Sequence, residues 1–218
     1  MTLHKWCSNH AELAEDHTYS FPNEEESTTL GVPWRSRRDC FCFRVKIDKD
    51  IVVTKRQMLC TIARLFDPIG LLGPIISKAK IFLQRLWLLK LNWNEPFPKK
   101  EADEWKKFST ELKVLSKTEI ERFILTAEVD YVELHGFADA SEVAYVATIY
   151  CKSRSRDGEV KTRLVTSKSR VLPIKRVTIS RLELCAAVLL AKLTVRVISA
   201  LEIPVNKVYL WSDFMIVL

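Results

Sequence analysis

The stretch His135-Gly136-Phe137-Ala138-Asp139-Ala140-Ser141 is a place where an apolar run of the chain ends in a carboxylate. From Val132 to Ala138 the sequence is apolar-rich with a polar alternation, which is typical of a half-buried strand. We therefore expect Asp139 to lie at the end of a strand. Such an acid is either a turn residue that caps the strand end or a functional group, and this residue alone does not decide between them.

Two further acids occupy comparable places. Asp213 follows another apolar run, Tyr209-Leu210-Trp211-Ser212, although it could be a surface residue at the exit of a strand. Glu183 lies in the first turn of a long apolar helix predicted over residues 182–201, with Ser180 as N-cap, so it could also be half of a capping box. If the strands are neighbours and the helix crosses them, the three acids converge. Clustered carboxylates repel one another and normally need cations.

The order of predicted elements indicates an α+β chain. Residues 131–218 alternate as strand, strand, strand, helix and strand, which is an α/β pattern with a meander followed by a crossover. A strand-like alternation over 40–47 places Cys40 and Cys42 on one face. We predict three segments, which are an irregular and strand-rich part (1–54), a mostly helical part with helices near 55–66, 75–91 and 99–115 (55–130), and the α/β part (131–218).

The charge of the 218-residue chain favours a polyanionic partner. The net charge is +7, and the basic surplus falls after residue 50. Basic residues in that surplus lie near the predicted acidic site, where they are expected to meet phosphates, although a solvated basic face is the alternative. These residues are Lys168, Arg170, Lys175, Arg176 and Arg181.

Other features set the expected compartment. The chain has six cysteines but no Cys-x-x-Cys pair, and no apolar core follows its N-terminus, so we expect a reduced, intracellular setting without a secretory leader. Lysines and arginines interrupt the long apolar runs, and no segment is expected to span a membrane. The cluster of His4, Cys7, His10 and His17 fits no common zinc spacing and is expected to be a solvated segment.

The longer motifs resemble a known family. The stretches 135–141, Thr178-Ile179-Ser180-Arg181-Leu182-Glu183-Leu184-Cys185-Ala186-Ala187 and 208–213 resemble the ribonuclease H region of Bel/Pao-type retrotransposon polyproteins. Upstream, residues 55–57, Phe66-Asp67-Pro68-Ile69-Gly70-Leu71-Leu72-Gly73-Pro74 and residues 78–84 resemble the reverse transcriptase thumb and connection of those elements. Leu30-Gly31-Val32-Pro33-Trp34 fits the stretch just before them.

This resemblance implies a helical connection region followed by an incomplete α/β ribonuclease-H-like domain. Asp139, Glu183 and Asp213 would be three of the four acids that hold two Mg²⁺ ions. The implied reaction is hydrolysis of the RNA strand of an RNA–DNA hybrid. The implied partners are that hybrid, or another nucleic acid, and the rest of the Pol polyprotein.

The sequence also departs from the family pattern. The chain ends five residues after Asp213, so the fourth acid and closing elements are missing, and Phe214 stands where a small polar residue is usual. We therefore expect this fragment to be inactive by itself, and a non-catalytic nucleic-acid-binding remnant is an alternative. The family also carries a peptidase label, but an aspartic peptidase needs an Asp-Thr/Ser-Gly turn, which this sequence lacks.

Overall fold

The computed structural model describes residues 27–29, 31–45, 47, 52–172 and 177–213. The chain forms two units, each assembled from two separate stretches. The first unit comprises Met1–Phe66 and Asn92–Phe123, and the second comprises Asp67–Leu91 and Ile124–Leu218. The three sequence segments, 1–54, 55–130 and 131–218, stay a prediction. The cluster of His4, Cys7, His10 and His17 lies outside the described residues.

The first unit contains a small antiparallel sheet of four strands in chain order. The strand expected over 40–47 ends at Cys42, and Cys40 and Cys42 are both buried on one face, as expected. The last strand lies in a region predicted to be mostly helical. It pairs with the cysteine strand, and Glu119 at its start forms ion pairs with Arg35 and Arg38. These strands are β1 (Ser27–Thr29), β2 (Val32–Arg35), β3 (Cys40–Cys42) and β4 (Glu119–Glu121).

Among the described residues of the first unit there are also two helices, and both confirm predicted helices. The first, α1 (Lys55–Ala63), begins after Thr54, whose hydroxyl accepts a hydrogen bond from the Gln57 amide at 3.4 Å. The later helix, α3 (Lys99–Glu111), continues as a 3₁₀ turn over Leu112–Lys117. Trp105, Leu112 and Leu115 are buried, because their spacing of three and seven residues puts them on one side of this segment.

The second unit is built on a four-stranded mixed sheet with the strand order β7-β6-β5-β8. The first three strands form an antiparallel meander, and β8 returns to pair in parallel with β5. This confirms the predicted meander and crossover. The strands are β5 (Val129–Ala140), β6 (Ala144–Ser155), β7 (Val160–Val171) and β8 (Lys207–Trp211).

The crossover helix α4 (Ile179–Leu201) covers one face of this sheet. Its buried side chains join those of β5 and β6 in one core, which includes Leu134, Ile149 and Leu190. Gly136 makes the close approach of the helix possible, because a Cβ there would lie 2.7 Å from Leu190 Cδ1.

The start of α4 differs from the prediction. Its N-cap is Thr178, whose carbonyl accepts hydrogen bonds from the amides of Arg181 and Leu182, and no side chain caps the helix. The predicted capping box of Ser180 and Glu183 is therefore wrong, because the helix begins before Ser180. Glu183 does not serve as the helix cap.

The apolar character of α4 also affects the membrane expectation. Its 23 residues, with a mean hydropathy of 2.0 over an 18-residue window, are long and apolar enough to cross a bilayer by length and composition alone. The expectation that no segment spans a membrane stays a prediction, although α4 meets this criterion of length and composition. Its Ala186, Leu190 and Leu193 pack in the sheet core, and the core helix of a soluble protein passes the same test.

The helix α2 (Gly73–Leu88) packs against β7 on the face opposite α4. The turn before it is fixed by Asp67, whose carboxylate accepts hydrogen bonds from the Leu71 and Leu72 amides at 2.8 and 2.7 Å. In the same turn, the Ile69 carbonyl accepts from the Ser167 amide at 3.0 Å. This turn therefore pairs with part of β7, an edge strand of the sheet.

Candidate metal centre

The three acids predicted from the sequence lie together at one edge of the second unit's sheet. Asp139 is the penultimate residue of β5, and Asp213 lies two residues beyond β8. Because β5 and β8 are parallel and Phe137 pairs with Trp211, both acids leave the sheet at the same edge. Glu183 reaches that edge from the first turns of α4. One carboxylate oxygen from each residue lies within 4.8 Å of the other two.

Glu183 is the unusual member of this cluster. Its residue is only 6% exposed, whereas Asp139 and Asp213 are exposed. Its Oε2 atom is buried and has no hydrogen-bond partner among the residues that the structure describes. A buried carboxylate oxygen without a partner is costly, so this atom needs a cation or a donor that the chain itself does not provide.

The surroundings of Glu183 make its ionisation less favourable when no cation is present. Burial, followed by the carboxylates of Asp213 and Asp139, raises the pKa of Glu183, and a backbone hydrogen bond from Ala140 acts in the opposite direction. A divalent cation bound between the three carboxylates would reverse this balance. The donor set is made of oxygens alone, which suits Mg²⁺.

Aromatic side chains lie on the face opposite α4, next to the acids. Phe137 stacks with Trp211 at 6.4 Å between ring centroids, and His135 stacks with Tyr209 at 5.0 Å. Phe137 and Trp211 are 44% and 50% exposed. Each precedes a site carboxylate by two residues. Because side chains alternate along a strand, the sequence could have predicted that each aromatic ring lies on the same face of the sheet as the carboxylate that follows it.

The structure describes three of the five residues that were predicted to contact phosphates. Lys168 and Arg170 are exposed on β7, on either side of Ser169. Ser169 pairs with Val146, which in turn pairs with Asp139, so the backbone of this part of β7 lies about 10 Å from that of Asp139, two strand spacings away. Arg181 is exposed in the first turn of α4, two residues from Glu183. Lys175 and Arg176 lie outside the described residues.

Sequence reasoning missed two parts of this region. One is the backbone of Ala140, which bonds to Glu183 and depends on how α4 meets the end of β5. The other is a cavity beside Asp139, between α2 and the sheet. Its serine and threonine side chains alternate along β6 and β7, but no local pattern reveals that α2 packs over them.

Strand order, crossover helix and acidic edge together define a ribonuclease-H-like domain. Residues 54–214 match the family described as the Pao retrotransposon-like RNaseH-like domain, and the chain belongs to this family. No curated protein matches the sequence.

Among solved structures, the chain is similar to one described as the foamy viral protease-reverse transcriptase dRH in complex with double-stranded DNA. The sequence identity is 16% and the TM-score is 0.44. The match covers 87% of this chain and 31% of the foamy viral chain, so this protein spans about a third of that chain's length.

Proposed function

We propose that the second unit is a metal-dependent nuclease domain in which Asp139, Glu183 and Asp213 hold two Mg²⁺ ions. The observation that carries the proposal is the buried Oε2 of Glu183, which has no partner in the described part of the chain, on a side chain that clusters with two other carboxylates. The alternative, purely structural role of Glu183 as part of a helix cap does not apply, because Thr178 is the N-cap. A cation is then the simplest group that satisfies this oxygen.

The proposed reaction is hydrolysis of the RNA strand of an RNA–DNA hybrid in the completed domain. Bound metal ions would activate the attacking water and stabilise the leaving oxygen of the phosphodiester. Asp139 and Asp213 are exposed, which leaves their side of the site open to a phosphate. Glu183 is held by burial and by the Ala140 backbone, so its position does not depend on the substrate.

Nucleic-acid binding is supported by charge. Lys168 and Arg170 are exposed on β7, Arg181 is exposed in the first turn of α4, and the whole chain carries a net charge of +7. We propose that these side chains contact phosphates of the hybrid, with Lys175 and Arg176 as further contacts predicted from the sequence. The proposal includes association with the rest of a Pol polyprotein and an intracellular setting, without a membrane partner.

A cleavage assay tests the proposal. The chain, alone and within a longer Pol fragment, is incubated with a hybrid labelled on the RNA strand, with and without Mg²⁺. We expect the chain alone to be inactive and the longer fragment to cut the RNA strand in the presence of Mg²⁺. This cutting should be lost in Asp139→Asn and Glu183→Gln and kept in Glu142→Gln, which changes an exposed glutamate. Full activity in Asp139→Asn would refute the metal site. Tight hybrid binding with no cleavage by the longer fragment would favour the non-catalytic binding module instead.

A further inference from the structure

A cavity of about 420 Å³ opens beside Asp139 in the second unit. One wall is the turn and first residues of α2, including Gly70, Pro74 and Ser77. The other wall is the sheet face opposite α4, including Thr148 and Tyr150. Its volume falls within the ~300–1,000 Å³ that is usual for small-molecule sites.

The lining of this cavity combines apolar walls with hydroxyl groups. Leu71, Val146 and Leu164 provide apolar surface, and Tyr145 and Tyr150 provide aromatic surface. Such a lining suits a flat, largely apolar ligand that carries a few polar atoms.

Some of the hydroxyl groups are already satisfied and others are available. The hydroxyl groups of Ser77 and Ser169, which both line the cavity, form a hydrogen bond with each other at 2.5 Å. The side-chain hydroxyls of Thr148, Tyr150 and Ser167 have no hydrogen-bond partner within the described ranges. A ligand in the cavity would therefore find three hydroxyl groups that can donate or accept.

Asp139 connects the cavity to the acidic cluster, because it belongs to both. A ligand that occupies both places needs one group that binds divalent cations and, joined to it, a flat body that fills the cavity. A nucleotide has this construction, since its phosphate binds metal ions and its base stacks on aromatic rings. A base inside a duplex is already paired and stacked, so only an unpaired base is free to enter.

We propose that this cavity binds the base and sugar of an unpaired nucleotide whose phosphate is held at the Asp139–Glu183–Asp213 centre. The inference rests on the proposed function, because it needs the metal ions for the phosphate. Without metal, Asp139 repels the phosphate, and binding of the nucleotide is weak. The site would therefore hold a strand end or a single-stranded nucleotide beside the cleavage centre.

Calorimetric titration of the intact chain with three probes tests the inference. The probes are adenosine 5′-monophosphate, inorganic phosphate and adenosine, each with and without Mg²⁺. We expect the monophosphate to bind in Mg²⁺ at least ~10-fold more tightly than inorganic phosphate, which corresponds to about one well-placed contact. Adenosine is expected to bind weakly, and without Mg²⁺ the advantage of the monophosphate is lost.

Variants of Thr148 locate the binding site. Thr148→Phe fills the cavity and is expected to remove the advantage of the monophosphate over phosphate. Thr148→Val keeps the shape but removes the hydroxyl, so it should reduce the advantage without abolishing it. Thr162→Phe is the matched control, because Thr162 is exposed on β7 and does not line the cavity. Thermal melts and Mg²⁺ titrations of each variant show whether the fold and the metal centre are intact.

The outcomes separate this inference from the proposed function. Equal affinities for monophosphate and phosphate, with Mg²⁺ still bound, would overturn the cavity inference alone. So would an unchanged advantage in Thr148→Phe, or monophosphate binding that does not depend on Mg²⁺. Absence of Mg²⁺ binding by the wild-type chain would instead overturn the proposed function, and with it the basis of this inference.

Discussion

Asp139 and Asp213 each lie two residues beyond a pair of residues, Phe137 and Trp211, that face each other across parallel strands. Parallel pairing places equal numbers of residues after that pair at the same edge of the sheet. The backbone register therefore brings the two carboxylates together, whatever rotamers their side chains adopt. Glu183 completes the group from α4, and the relationship leads to the predictions below.

Glu183→Gln is expected to stabilise the metal-free protein near neutral pH. The folded-state pKa of Glu183 is raised, so its favourable protonated state contributes stability at low pH that is lost as the pH rises through that pKa. Glutamine removes the buried charge, and the melting temperature should rise by about 2–4 °C for each kcal/mol of repulsion relieved.

Calorimetric melts at pH 4 and pH 7 check this prediction. The gain should be present at pH 7 without metal and much smaller at pH 4. With Mg²⁺ the order should reverse, because the wild type then gains stability from binding the ion. The exposed Glu142→Gln is the control, and an equal gain in that variant would contradict the account of Glu183.

Gly70→Ala is expected to destabilise the second unit strongly. A Cβ at Gly70 would lie 1.8 Å from the Ser167 carbonyl oxygen, and the φ of +81° is in the left-handed region. Gly158 has a similar φ of +91°, but a Cβ there would have no neighbouring atom within 4 Å. Gly158→Ala therefore isolates the backbone cost of about 1–2 kcal/mol.

Denaturant unfolding of both variants measures the difference. Gly70→Ala should lose clearly more stability than Gly158→Ala, because the turn must move away from β7. Since Gly70 also lines the cavity beside Asp139, its replacement should weaken binding of the nucleotide monophosphate. Equal losses in the two variants would show that the turn does not need its close approach to β7.

Removing the cations beside the acidic edge is expected to weaken binding of an RNA–DNA hybrid. Lys168→Ala, Arg170→Ala and Arg181→Ala should each reduce affinity at low salt, because each deletes a charge that releases counterions from the nucleic acid. The slope of log affinity against log salt should fall by about one for each phosphate that a variant no longer neutralises.

Fluorescence anisotropy with a labelled hybrid over a range of salt concentrations measures these slopes. Arg196→Ala is the control, since it removes an exposed cation farther along α4 from the acidic edge. If Arg196→Ala changes the slope as much as the three variants do, the basic side chains act through net charge and not through phosphate binding at this edge.

The sequence predicts much of this site because its key residues follow regular patterns. The alternation before Asp139 and Asp213 indicates two strands, and the apolar spacing after Glu183 indicates the helix that lies over them. The register between β5 and β8 was not predictable, since it results from contacts between residues more than seventy positions apart. The capping box of Ser180 was predicted wrongly, because a local motif competes with a helix that begins at Ile179.

The first unit shows the same limit. Cys40 and Cys42 were placed correctly on one buried face, because alternation is a local property. The strand Glu119–Glu121 was missed, because its partner lies about eighty residues earlier and its stabilising ion pairs with Arg35 and Arg38 are long-range. Likewise, the cavity beside Asp139 depends on how α2 packs on β7, and no local sequence pattern predicts this packing.

The most direct test of the central claim is the number of divalent ions bound at the acidic edge. Mn²⁺, which takes the same oxygen ligands as Mg²⁺, is titrated into the intact chain and free Mn²⁺ is followed by electron paramagnetic resonance. The account predicts two Mn²⁺ per chain, with affinity reduced at least ~10-fold in Glu183→Gln and both sites lost in the triple variant Asp139→Asn/Glu183→Gln/Asp213→Asn. Binding that is absent from the wild type, or unchanged in the folded triple variant, would contradict it.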